Sequence, residues 1–263
     1  ASGPLYRVRI TCNGHLETSV GSLGNFTVHN TGLTYYVNDS YDSVSDVYCT
    51  ASGNDANNGL TSGTPKATVQ AIIDTYDLEA GDAVYIDTGV YELSADITVG
   101  SGDQGNATDY VRFVGSTDPS GTWIDRNDTF FGCGFCLVST AYVSLERLRV
   151  TGAWFGFYTF SSSNVGVSRC RSLGNFIGLC SYACNSVSVE HVVVNENEDA
   201  GIYTFSSSNV TVSQSRSWGN AGMGLYFEDS NSVIVDHTII DANGYGGIIL
   251  SGANSGSILN NVI

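Results

Sequence analysis

From residue 143 onward the chain repeats itself every 22 or 23 residues, and this period constrains the fold more than any other feature. Aligned as 143–164, 165–186, 187–209, 210–232 and 233–255, the segments bring Val143, Val165, Val187, Val210 and Val233 into one column. Two residues on, Leu145, Val167, Val189, Val212 and Val235 form a second column, so each repeat carries a short strand with alternate residues facing inward. Further along, Gly156, Gly178, Gly201, Gly224 and Gly247 align, each followed by an apolar residue: Phe157, Leu179, Ile202, Leu225 and Ile248. A second strand, opened by glycine, is therefore expected. A unit this short cannot bury an apolar face alone, whereas stacking at about 4.8 Å per step fuses the columns into one core. Leucine-rich repeats have a similar length but demand a leucine-rich consensus and usually a helix per repeat, in place of the Val, Gly, Ser and Asn found here. The pattern predicts an all-β solenoid of parallel strands.

Between the two strands Asn175, Asn197, Asn220 and Asn243 share a column, where each side-chain amide can bond its neighbour one repeat above and below. The spacing predicts an asparagine ladder. Upstream, Thr34–Val37 begins a strand, and a polar Asp, Asn and Ser loop runs to Asn58. Thr64-Pro65 offers a helix cap and a first-turn proline, with Val69, Ile72, Ile73 and Tyr76 at i, i+3, i+4 and i+7. This short amphipathic helix is expected to cover the apolar end of the first repeat. After it, Gly81-Asp82 turns the chain into a strand at Val84–Ile86, and Gly89-Val-Tyr91 turns it again. The organisation expected is 1–33 as an N-terminal strand segment or linker, 34–91 as the cap and 92–263 as the rungs.

Several of these residues carry a family likeness. Thr34-Tyr-Tyr-Val-Asn38, Gly53-Asn-Asp55, Asn58-Gly59, Thr64-Pro-Lys-Ala-Thr68, Gln70-Ala-Ile72, Gly81-Asp82 and Gly89-Val-Tyr91 resemble the N-terminal cap of pectate-lyase-like right-handed parallel β-helix proteins. The resemblance covers residues 34 to 263 and implies a right-handed parallel β-helix with a short N-terminal capping α-helix. Members include pectate lyases, other polysaccharide lyases and hydrolases, uronate epimerases, and repeat regions of large bacterial surface proteins, so fold alone does not choose among reactions. The lyases imply an Arg or Lys base beside carboxylates that hold Ca²⁺.

The closest local counterpart to such a site is the column Glu146, Ser168, Glu190, Ser213, Asp236, flanked by Arg147, Arg169, His191, Gln214 and His237. Acids on alternate rungs start near 10 Å apart, too far to share one Ca²⁺ and beyond the spacing of glycosidase carboxylate pairs. No residue is singled out as catalytic, no metal site is expected, and Ca²⁺ is the one cofactor held open. The turn acids Glu196, Glu198, Asp199, Glu228 and Asp229 read as a solvated edge. Tyr158, Tyr203 and Tyr226 share an outward column that suits glycan contact or lateral packing.

The net charge of −16 repels phosphate backbones and anionic lipid, so nucleic acid is not an expected partner. No apolar run reaches the roughly 20 residues that span a bilayer, and no membrane insertion is expected. Seven cysteines leave at least one without an internal partner. Cys133-Gly-Phe-Cys136 has zinc-like spacing but no second CxxC or HxxxH follows, so a four-ligand site cannot be assembled locally. Cys12, Cys49, Cys133, Cys136, Cys180 and Cys184 are disulfide candidates, in keeping with export to the cell surface or beyond. Sequons at Asn25, Asn38, Asn106, Asn127 and Asn209 are permissible glycosylation sites there.

Residues 256 to 263 begin a further rung without a cap, and an open rung needs covering. The first reading of function is therefore a non-catalytic structural module of a surface layer, adhesin or fibre, meeting other copies of itself head to tail or further domains of a longer chain. The alternatives are a polysaccharide lyase or related carbohydrate-active enzyme, and a glycan-binding module.

Overall fold

The computed structural model describes residues 32–41, 43–252 and 255–263. The expected segment at 1–33 lies almost wholly outside these residues. The chain winds as a right-handed β-solenoid of about six turns. One sheet stacks nine parallel strands in the order Thr34–Val37, Ala83–Ile86, Val111–Gly115, Ala141–Glu146, Ser163–Ser168, Asn185–Glu190, Ser208–Ser213, Val233–Asp236 and Gly256–Leu259. The other two stacks join into one twelve-stranded sheet, because Thr122–Val138 and Leu148–Phe160 run round the corner without a break.

Register follows the repeat. Val143 pairs with Val165, Val165 with Val187 and Val187 with Val210, while Phe157, Leu179, Ile202, Leu225 and Ile248 are partners in sequence along the third stack. The inward columns Leu145, Val167, Val189, Val212 and Val235 are at most 1% exposed and form one continuous core with Phe113, Phe135, Phe157 and Phe227. Sharp corners separate the stacks, and single left-handed residues make them. Arg147, Arg169, His191, Gln214 and His237 sit at φ between 49° and 55° at the first corner. This conformation costs a non-glycine residue about 1 kcal/mol, which the flanking strand pairs hold in place on every turn.

The helix is Val69–Thr75, beginning four residues later than Thr64-Pro65 suggests. The reason is pairing: Lys66 N–H donates to the Tyr36 carbonyl at 3.0 Å and Lys66 carbonyl accepts from Asn38 N–H at 3.0 Å, holding that segment extended beside the first strand. Thr68 becomes the cap, its hydroxyl accepting from Ala71 N–H at 3.2 Å. Val69 and Ile72 then cover the first rung. Gly89-Val-Tyr91, expected as a turn, lies in a strand, Gly89–Glu92, that pairs with Thr122–Asp125. Among the described residues no helix is long and apolar enough to cross a membrane.

At the second corner the four asparagines bond rung to rung. Asn175 and Asn197 are at most 1% exposed, and Asn197 Oδ1 accepts the Asn175 backbone N–H at 3.1 Å. Asn220 Oδ1 accepts both the backbone N–H (3.1 Å) and the side-chain amide (2.8 Å) of Asn197, and Asn243 Oδ1 does the same for Asn220. A side chain added at Gly178 or Gly201 would meet these amides, which is why glycine opens the third stack.

Candidate functional site: an arginine corner

Two consecutive rungs carry the pattern Arg-x-Arg: Arg147-Leu-Arg149 and Arg169-Cys-Arg171. The middle residue faces the core, so both flanking guanidiniums are turned outward across the first corner. Arg149 and Arg171 are register partners on adjacent strands, about 4.8 Å apart at the backbone. Arg149 lies over the Trp123 ring at 5.0 Å and donates to the Pro119 carbonyl at 3.0 Å. Arg171 Nε donates to Asn195 Oδ1 at 3.2 Å. Farther along the same outward column, Arg216 covers Trp218 at 5.1 Å and pairs with Asp241 at 3.0 Å.

The distribution of carboxylates at this corner is uneven. Glu146 takes Arg112 at 3.2 Å and Arg147 at 3.6 Å. Glu190 faces His191 at 3.6 Å, and Asp236 faces His237 at 2.9 Å. Hydrogen bonds from Asn260 and His237 lower the Asp236 carboxyl below its usual range. Each acid of the column is thus tied to its own cation or neighbour, in keeping with the rung spacing. Among the described residues Arg149, Arg169 and Arg171 reach no carboxylate. In a chain of net charge −16, three guanidiniums on two adjacent rungs without an acid form a local positive patch. Arg147 and Arg169 were visible in the sequence as neighbours of the acid column. Arg149, Arg171, Trp123 and Trp218 were not singled out, although the twice-repeated Arg-x-Arg spaced by 22 residues is the signal that would have found them.

The tyrosines of the outward column stack on neighbouring rings. Phe155 and Tyr158 stack at 4.8 Å and 14°, Tyr203 and Tyr226 at 5.2 Å and 25°. Beside them Phe160, Tyr182 and Phe205 stack at 5.3 and 5.2 Å with angles of 18° and 17°. Tyr203 with Tyr226, and Phe160, Tyr182 and Phe205, stack from rung to rung, whereas Phe155 and Tyr158 stack within one rung and, with Tyr203 and Phe205, line a shallow surface hollow. Tyr203 also donates to Glu228 at 2.5 Å, and burial followed by that hydrogen bond pushes its phenol well up. Glu228 is thus tied to the tyrosine column through one of its two oxygens.

Of the cysteines, Cys133 and Cys136 are joined, Cys12 lies outside the described residues, and Cys49, Cys170, Cys180 and Cys184 are buried thiols. This corrects the expectation for Cys49, Cys180 and Cys184. Cys184 belongs to a corner column of Ser162, Ser207 and Ser230, in which a side chain accepts an N–H from the rung before; its own N–H goes to Ser207 Oγ at 3.1 Å. Cys170 does the same at the first corner, accepting from Leu148 N–H at 3.5 Å where Ser215 accepts from Val192 at 3.1 Å. Cys180 faces the opposite way, among Ile177 and Ala200, and cannot meet Cys184. Burial pushes the Cys170 and Cys180 thiols up to about 12 and raises Cys49 still further. These four thiols are expected to resist alkylation in the native protein at pH 8 and to react fully in denaturant, as mass spectrometry of labelled peptides will read.

The sequons divide in the same way. Asn38 is 0% exposed with its amide donating to Asp46 and to the Ala51 carbonyl, both at 2.9 Å, so a glycan there is incompatible with the fold. Asn106, Asn127 and Asn209 are exposed, and Asn25 lies outside the described residues.

The family model for the right handed beta helix region matches residues 80–214 and 133–263. The chain belongs to that family. No curated protein matches it by sequence. Among solved structures it is similar to a rhamnogalacturonan lyase at 17% identity and a TM-score of 0.64, covering 86% of this chain and 62% of that one. It is also similar to an alginate lyase from Paenibacillus sp. str. FPU-7 (16%, TM-score 0.62, 73% and 72% covered) and to pectate lyase Pel9A (16%, 0.61, 81% and 56%). Identities this low establish a common fold. The chain spans less than two thirds of the length of the rhamnogalacturonan lyase.

Proposed function

We propose that this β-helix engages an acidic polysaccharide at the arginine corner, as a carbohydrate-active protein. The observation that carries the reading is the set of Arg149, Arg169 and Arg171, none with a carboxylate of the chain's own and the first and last held in place by their neighbours. Like charges one rung apart repel, and a polymer with regularly spaced carboxylates relieves that repulsion while accepting forked hydrogen bonds. Trp123 shares the column of Arg149 and Arg171 and adds apolar surface beside the charges, as Trp218 does beside Arg216 farther along. The likeness to lyases named for rhamnogalacturonan, alginate and pectate supports this carbohydrate reading over a purely structural module. Engagement of such a polymer carries an extracellular or cell-surface location with it.

In an enzyme of this kind a guanidinium that neutralises a uronate carboxylate acidifies the adjacent C–H, which is the first requirement for eliminative cleavage. The test separates holding from cutting. Affinity electrophoresis through polygalacturonate or alginate retards the protein, dextran does not, and retardation falls steeply with salt. The Arg149→Gln/Arg171→Gln double variant binds about 100-fold more weakly. Absorbance of an unsaturated uronate product reports cleavage by the same samples. Equal migration in acidic and neutral gels, or retardation indifferent to the two substitutions, would refute the proposal.

A further inference from the structure

Asp96, Cys133 and Cys136 form, among the described residues, a group whose ligand atoms all lie within 4.8 Å of one another. Asp96 comes from the turn before the strand Ile97–Val99, a full rung earlier than the two cysteines, so it is distant from them in sequence and adjacent only in the solenoid. Its Oδ2 stands 3.7 Å from Cys133 Sγ and 3.9 Å from Cys136 Sγ, while Oδ1 accepts from Arg126 at 2.8 Å. Both cysteines are buried, at 2% and 6% exposure. The strand is irregular here, with register shifts between Asp125 and Cys133 that let cysteines three residues apart point to the same carboxylate. Gly132, at φ 79°, borders Asp96 so closely that any side chain would collide with the carboxylate.

A disulfide has no hydrogen to give, so in the oxidised form Asp96 Oδ2 faces two sulfurs that cannot satisfy it. Two thiols can, and so can a cation. We infer that the dithiol form of Cys133 and Cys136, with Asp96, is a binding site for a thiophilic divalent cation of the Zn²⁺ class. Two thiolates, the carboxylate and the Arg126 guanidinium carry a net charge that a divalent ion cancels, so the filled site is neutral where the two sulfurs are buried and the carboxylate is half-buried. Three protein ligands leave one tetrahedral position open. Asp96 lies on the wall of a cleft of about 520 Å³ lined also by Asp39, Asp55, Asp74 and Glu92. That acidic cleft draws cations toward the ligands and gives them a route in. The pair Cys133-Gly-Phe-Cys136 lacks two further ligands nearby in sequence, and the fold supplies the third from the preceding rung.

The redox step is simple. A water-soluble phosphine breaks the S–S bond, takes an oxygen atom from water and leaves as its oxide, and the two protons of that water end on the two sulfurs. Metal binding then releases two thiol protons to solvent. The test is titration of the phosphine-reduced protein with Co²⁺, followed by the thiolate-to-cobalt charge-transfer band, with Zn²⁺ as competitor. One equivalent saturates the band, Zn²⁺ abolishes it, and the oxidised protein gives none. Cys133→Ser and Cys136→Ser each lose the band, and Asp96→Asn weakens binding about 100-fold. A second readout needs no variant: saturating Zn²⁺ protects Cys133 and Cys136 of the reduced wild-type protein from alkylation. Absence of the band, its survival in either Ser variant, or alkylation unaffected by Zn²⁺ overturns the inference.

Discussion

Asn197→Ala lowers the stability of the solenoid by about 4 kcal/mol, well above the usual cost of losing one hydrogen bond. The reason lies in what stays behind. Asn197 Oδ1 is the acceptor for the Asn175 backbone N–H at 3.1 Å, and its Nδ2 gives Asn220 Oδ1 a donor at 2.8 Å. All three residues are at most 1% exposed, so no water replaces the lost partner. Alanine therefore strands a buried N–H, removes a donor from a buried carbonyl oxygen and opens a small void beneath Gly178. Asn243, half-buried near the last rung, provides the control. Its replacement by Ala costs less than half as much, because Asn243 is itself partly exposed and its removal lets water in to the Asn220 groups that it serves. Urea titration gives both numbers as midpoint shifts at constant slope. A loss under about 1 kcal/mol for Asn197→Ala would mean that the amide column decorates the turn without holding it.

How much of this was legible in the sequence depends on whether a feature repeats. The columns Val143 to Val233 and Gly156 to Gly247 are read directly, because each turn imposes the same alternation on the same positions. The asparagines share that property. The start of the helix was misplaced because Thr64-Pro65 satisfies local capping rules while a non-local pairing of Lys66 with Tyr36 and Asn38 holds the backbone extended. Cys170 and Cys184 were read by residue type, as disulfide candidates or thiols, when their columns place them among Ser162, Ser207, Ser215 and Ser230. At the arginine corner, attention to the acids on the sheet face concealed the neighbouring column. Whether Arg149 and Arg171 lack a carboxylate is a question of side-chain reach across rungs, and only coordinates answer it. Asp96 belongs to the same class, being brought to Cys133 and Cys136 by winding alone.

The cap offers the second large effect, and it too rests on one buried acid. Asp87 follows the strand Ala83–Ile86, is 0% exposed and accepts four backbone N–H groups. Val47 and Thr88 donate to Oδ1, both at 2.7 Å, and Tyr48 and Cys49 donate to Oδ2 at 2.8 and 2.5 Å. Three of those donors lie 38 to 40 residues away, so this carboxylate is what fastens the polar loop of the cap to the first rungs. Hydrogen bonds to a charged acceptor are each worth about 1.5–3 kcal/mol, and the loop between Asp39 and Asn58 has little apolar burial to replace them. Asp87→Ala is therefore expected to free that loop while the downstream rungs, joined by their own ladders, remain wound. Amide exchange at Val47, Tyr48 and Cys49 should accelerate about 1000-fold, the equivalent of roughly 4 kcal/mol of local opening. Cys49, inert in the native protein, should become alkylatable at pH 8. Asp87→Asn keeps one acceptor oxygen but turns an NH₂ toward two N–H donors, so it should open the loop almost as far. Unchanged exchange at Val47–Cys49 in the Ala variant would show that the loop is held by its other bonds, such as those of Asn38 to Asp46 and Ala51, and that Asp87 is a passive acceptor.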